Sequence, residues 1–173
     1  MGTSAARFRG LTFWARDSVI ATWLGLLVID LASDRDDRGW LNDAADTWTL
    51  QAVGQFTGCV GTFFDELLTS SDRLQVVRAA AVRLPNRISK APLDRYGCVE
   101  ARSPEFDERA DRVWGRSGWE RPDALPEWLL PAAVAFIELL DGTLDVPDGC
   151  WVFVGPDGRK VSPLLTWGAD SRE

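Results

Sequence analysis

All nine prolines of this 173-residue chain lie at or beyond Pro85. The first 84 residues therefore contain nothing that removes a backbone donor or blocks the preceding turn, and they are free to build long helices. Phe13, Trp14, Val19, Ile20, Trp23, Leu24, Leu27, Val28 and Leu31 cover nearly every side of a helix drawn from Thr12 to Ala32, which predicts a central helix buried in a bundle. After a charged turn from Ser33 to Gly39, apolar side chains recur at steps of three and four from Leu41 through Trp48, Phe56 and Phe63 to Leu67. That spacing predicts a second helix running to Leu68. Its glycines, Gly54, Gly58 and Gly61, lower helix propensity and allow close approach of a neighbour. Ser71 reads as the N-cap of a third helix that carries Leu74, Val77, Ala81 and Leu84 and stops at Pro85.

Beyond Pro85 the pattern is broken. Residues 85–103 mix proline, glycine and charge without a period and read as an irregular connection. Ser103-Pro104 opens a short helix supported by Glu105–Arg109 and Glu108–Arg112 pairs. Pro126 at a first helical position, the apolar run Trp128 to Leu140 and Gly142 beyond it describe another core helix, with Pro131 as kink or true start. The period then changes to two. Cys150 to Val154, the turn Gly155-Pro-Asp-Gly158 and the returning Arg159-Lys-Val161 predict a β-hairpin. The expected fold is mainly α: one domain over residues 1–173, a bundle of about five helices (helical 11–84, helices 104–141) with a small C-terminal hairpin at 150–162.

Composition narrows the chemistry. The chain has no histidine, which excludes Ser-His and Cys-His dyads and histidine-ligated zinc. Its only lysines are Lys90 and Lys160, and neither follows an SxxK motif. Cys59, Cys98 and Cys150 are too far apart for a CxxC pair, and their odd number suits a reducing compartment. No GxGxxG or GxxxxGK[ST] loop occurs. The charge-free run Ser18 to Ile29 has 12 residues, short of the roughly 20 that span a bilayer. A cytoplasmic location with no membrane partner is expected.

Charge is placed unevenly. Lys and Arg number 19 against 26 Asp and Glu, for a net charge of −7. Between Pro122 and Gly158 stand seven acids (Asp123, Glu127, Glu138, Asp141, Asp145, Asp148, Asp157) and no base. Arg73 to Arg102 carries the opposite excess, so the two stretches can attract one another within the fold. The same acids can instead form a docking surface for a cationic partner. The overall charge argues against direct nucleic-acid binding.

The expectation drawn from these features is a non-catalytic, acidic protein-binding module that holds a basic protein partner without a cofactor. Bacterial immunity proteins and antitoxins share this size and acidity as a general analogy. Asp123, Glu127, Asp141, Asp145 and Asp148 would supply the charge, with Trp114 and Trp119, which flank polar turns, as aromatic anchors. Trp14, Trp23, Trp48 and Trp128 fall on apolar helical faces and read as core. The alternative is an enzyme or ligand-binder built on carboxylates and rings. Asp34, Asp36, Asp37, Asp43 and Asp46 could gather Mg²⁺ in a hydrolase, although Arg35 and Arg38 neutralise that cluster without a metal. The nine tryptophans could also stack on a glycan. Sequence leaves the oligomeric state open.

Overall fold

The computed structural model describes residues 2–32, 39–53, 60–90 and 126–164. The chain opens with two strands rather than a helix: β1 (Thr3–Phe8) and β2 (Leu11–Arg16), paired antiparallel with Phe8 opposite Leu11. The two loop residues, Arg9 and Gly10, both have positive φ (49° and 82°). That is the turn whose twist matches a tight hairpin, and glycine occupies its second position without steric cost. Helix α1 (Asp17–Leu31) starts directly after β2 and is buried on all sides from Val19 onward. It packs against α2 (Gly39–Val53), α4 (Ser71–Lys90), α5 (Pro126–Asp141) and the first hairpin. A one-turn helix, α3 (Phe64–Leu67), stands between α2 and α4.

The C-terminal strands β3 (Cys150–Gly155) and β4 (Gly158–Pro163) pair antiparallel across Pro156-Asp157. They do not form an isolated ribbon. Trp14 of β2 pairs in parallel with Phe153 of β3, giving one four-stranded sheet in the order β1-β2-β3-β4. The fold is therefore α/β, five helices with a mixed sheet among the described residues, and not the mainly helical bundle with a small hairpin that periodicity suggests. Residues 12–16 satisfy a helical period and a strand period together. Pairing with Thr3–Phe8 and with β3 selects the strand, because it satisfies backbone groups on both edges of β2.

The other boundaries move for local reasons. The second helix is described over Gly39–Val53, and residues 60–63 lie beside β1 and are not helical, so it does not run to Leu68. Val60 N–H donates to Ser4 Oγ at 2.9 Å and Gly61 N–H to Gln51 Oε1 at 2.8 Å. Trp48 Nε1 donates to the Thr62 carbonyl at 2.7 Å. Side chains thus replace the helical partners of this stretch. A Cβ on Gly61 would lie 2.7 Å from the Phe63 ring, so this glycine admits a side chain rather than a neighbouring backbone. Ser70, one residue before the expected cap, accepts the Arg73 N–H at 3.3 Å and starts α4. That helix continues through Pro85 because Leu84 and Ile88 are both buried and Arg87 is tied to α1. The helix expected after Ser103 lies outside the described residues.

Aromatic rings organise the core. Trp23 of α1 stacks on Phe136 of α5 with centroids 3.6 Å apart and planes 10° from parallel. Phe64 meets Phe8, Trp23, Trp48 and Phe136 edge-on at 6.0–6.3 Å. Phe13 meets Phe136 at 4.9 Å and 79°. These geometries suit the ring quadrupole and add to the burial of large apolar area. Helices thereby seal the sheet face that carries Ala6, Phe8, Phe13, Val152 and Val154.

Candidate functional site

The opposite face of the sheet carries Trp14, Trp151 and Phe153. Strand alternation puts Phe13 and Ala15 into the core and turns Trp14 and Arg16 outward; likewise Val152 and Val154 point in and Trp151 and Phe153 out. On a sheet with one wet face the outward positions are normally polar. Here they hold three large rings. Trp14 is 38% exposed, while Trp151 and Phe153 are half-buried against each other with centroids 6.5 Å apart and planes at 80°. Together with Thr3 and Leu164 they line an open depression of about 470 Å³. Leu164, 57% exposed, is held at its rim by donating its N–H to the Gly149 carbonyl at 2.7 Å.

Cations surround the rings. The register places Arg7, Arg16 and Lys160 on the same face as Trp14, and the strand positions facing this way carry no acid. Arg16 lies over the ring of Trp128 from α5, with its guanidinium carbon 3.9 Å from the centroid. Such a cation–π contact restricts the side chain before any ligand arrives. Trp128 also approaches Gly155, where a Cβ would be 3.5 Å from its ring. Lys160 has Asp157 at 3.5 Å across the turn, a contact open to water on both sides.

The acids singled out from sequence do not converge on one patch. Glu127 and Asp141 stand at opposite ends of α5, roughly 20 Å apart along its axis. Asp141 receives two hydrogen bonds from Arg78 of α4, one of them from Nη2 to Oδ2 at 2.9 Å. This pairing lowers its pKa, the Arg78 hydrogen bond being the largest cause and burial opposing it. The neighbouring Glu138 is paired with Arg159 of β4. Asp145 and Asp148 are exposed on the turn between α5 and β3, without an ion pair among the described residues, and so is Glu127. Asp123, Trp114 and Trp119 lie outside the described residues. So do Asp34, Asp36 and Asp37; Asp43 and Asp46 are exposed on α2. Among the described residues no three histidine, cysteine or carboxylate side chains gather as for a metal.

Of the tryptophans read as core, Trp23 and Trp48 are fully buried. Trp14 instead faces water from a strand, and Trp128 is half-buried beneath Arg16. The missed signal was alternation. Trp14 between Phe13 and Ala15, and Trp151 and Phe153 around Val152, put large apolar side chains on both sides of their strands, which a one-sided core does not require.

No described helix is long and apolar enough to cross a membrane. A scan against protein-family models and searches of curated proteins and of solved structures found no match to this chain.

Proposed function

We propose that the protein is a non-catalytic binding module that holds its partner on the open face of the sheet. One observation carries this reading: Trp14, Trp151 and Phe153 occupy outward strand positions beside an open apolar depression, while the opposite face is sealed by the helices. Exposed rings rimmed by polar groups on a rigid scaffold are the composition of a binding surface, because ring area can be desolvated at little entropic cost. The groups within reach, three rings, a threonine and cations of which Arg16 is held against Trp128, are suited to binding and orienting a partner.

A second reading, an immunity-protein or antitoxin-like inhibitor gripping a basic protein, is favoured by the exposure of Asp145 and Asp148 beside β3 and of Glu127 at the start of α5. It loses Asp141 and Glu138, whose charges are already met by Arg78 and Arg159.

One experiment separates the two. Wild type, Trp14→Ser/Trp151→Ser and Asp145→Lys/Asp148→Lys would be immobilised, exposed to native extract and washed at low salt, with circular dichroism confirming that each is folded. The sheet-face reading expects the retained partner to be lost from the tryptophan variant alone. Loss from the lysine variant alone would overturn it in favour of the acidic flank.

A further inference from the structure

We infer that the open sheet face is a site for single-stranded nucleic acid, with bases stacked on Trp14, Trp151 and Phe153 and phosphates met by Arg7, Arg16 and Lys160. This inference rests on the sheet face being the working surface and adds the chemistry of what it takes. Two properties coincide on one face: stackable rings at the centre and cations around them. Given strand spacing and rise, the three cations mark a triangle with sides of about 12–16 Å. That encloses Trp14 and Phe153, with Trp151 just beyond one edge, and matches a few nucleotides, the scale on which rings and backbone charge alternate in a single strand. An apolar protein segment would use the rings but leave the cations unpaired. Nucleic acid uses both.

The geometry selects single strands over duplexes. The rings rise from the sheet surface and reach only bases already unstacked from their neighbours, whereas a duplex presents phosphates outward and hides its π faces. Trp151 and Phe153, nearly perpendicular, form a corner in which a base can lie flat on one ring and abut the edge of the other. Arg16, already stacked on Trp128, loses little further freedom on meeting a phosphate.

The net charge of −7 opposes polyanion binding by the molecule as a whole. At physiological salt, though, the Debye length is about 8 Å, so carboxylates elsewhere are largely screened from this face. The local balance then decides. Asp157 offsets part of Lys160, while Asp17, next to Arg16, and Asp65, which accepts the Arg9 N–H at 2.8 Å, reduce the local excess without forming an ion pair with Arg16 or Arg7.

The test is fluorescence anisotropy of a fluorescein-labelled thymidine dodecamer titrated with the full chain, supported by quenching of tryptophan emission. Three phosphate contacts to a single strand predict a log–log salt slope of about −2, or roughly a twentyfold loss of affinity between about 50 and about 200 mM salt. Arg7→Ala should flatten that slope by about 0.7. Trp14→Ala should weaken binding at least about fivefold, and Trp14→Tyr, which keeps a ring, should restore most of it. Duplex of the same length should bind at least about tenfold more weakly.

Absence of binding at low salt overturns the inference, as does binding that Arg7→Ala and Trp14→Ala leave unchanged. Binding of an acidic, phenylalanine-bearing peptide but not of the oligonucleotide also overturns it and assigns the face to a protein. If the oligonucleotide fails yet Trp14→Ser/Trp151→Ser still loses its partner from extract, only the nucleic-acid inference falls. If the tryptophan variant keeps its partner as well, the sheet-face reading falls with it.

Discussion

Arg83 of α4 donates through Nε to Asp30 Oδ2 of α1 at 2.7 Å, and one turn later Arg87 brings Nη1 within 2.7 Å of Oδ1 of the same carboxylate. Asp30 is 3% exposed, whereas both guanidiniums reach water. The two ends of this contact are therefore unequal. Removing Asp30 leaves two guanidiniums that already reach water, but removing both arginines takes two cations away from a buried carboxylate.

Arg83→Met/Arg87→Met should accordingly cost about 3–5 kcal/mol in urea unfolding. Each single change should cost much less than half of that, because the remaining arginine still meets the charge. Asp30→Asn should fall below the double variant. Additive single costs would show that the arginines do not share this role.

Phe13 and Trp14 are adjacent and nearly alike in size, yet β2 sends them to opposite faces. Phe13→Ala should destabilise by about 3–5 kcal/mol through the cavity left against Phe136. Trp14→Ala should cost about 1 kcal/mol or less, in line with a partly exposed site. Equal costs would contradict the strand.

Gly10 has φ of +82° with open space where a Cβ would lie. A substitution there meets backbone strain and nothing else. Gly10→Ala should lower stability by about 1–2 kcal/mol, and Gly10→Asn by less, since asparagine tolerates the left-handed region. Thermal unfolding of both variants would decide, and a neutral Gly10→Ala would refute the turn geometry.

Asp141 is held below the ordinary carboxylate range by the hydrogen bonds from Arg78. A pKa depressed by folding contributes stability above the unfolded value, near 4, and that contribution disappears as pH falls through the lower folded value. Wild type should thus lose stability relative to Asp141→Asn on acidification below about pH 4. Because the pair is partly exposed the difference is small and shrinks with salt. Parallel urea curves at pH 6 and about pH 3 measure it; a constant offset between the proteins would show that Arg78 does not act on this carboxylate.

Much of the helical framework was legible because side-chain burial has a local signature. The all-round apolar surface of residues 19–31 announces a central helix, Pro126 and Gly142 bracket α5, and Cys150 to Val161 shows its alternation and its turn. Each of these depends on neighbours a few positions away. The charges were legible only in part: the acids were visible as a run that the Arg73–Arg102 stretch could attract, as Arg78 does Asp141, but the pairing of Glu138 with Arg159 was not, nor was the face that gathers Trp14, Trp151 and Phe153.

Sequence by itself determined that residues 19–31 must be buried, that the chain turns at Gly155–Gly158, and that histidine chemistry is absent. Only tertiary structure decided that residues 11–16 are a strand, since their pattern fits either period and the choice falls to hydrogen bonds offered by Thr3–Phe8 and by Phe153, some 140 residues away. The parallel junction between β2 and β3 then brings Trp14 alongside Phe153 and Trp151. Periodicity records which side of its own element a residue occupies, and it carries no information on which distant element completes the surface.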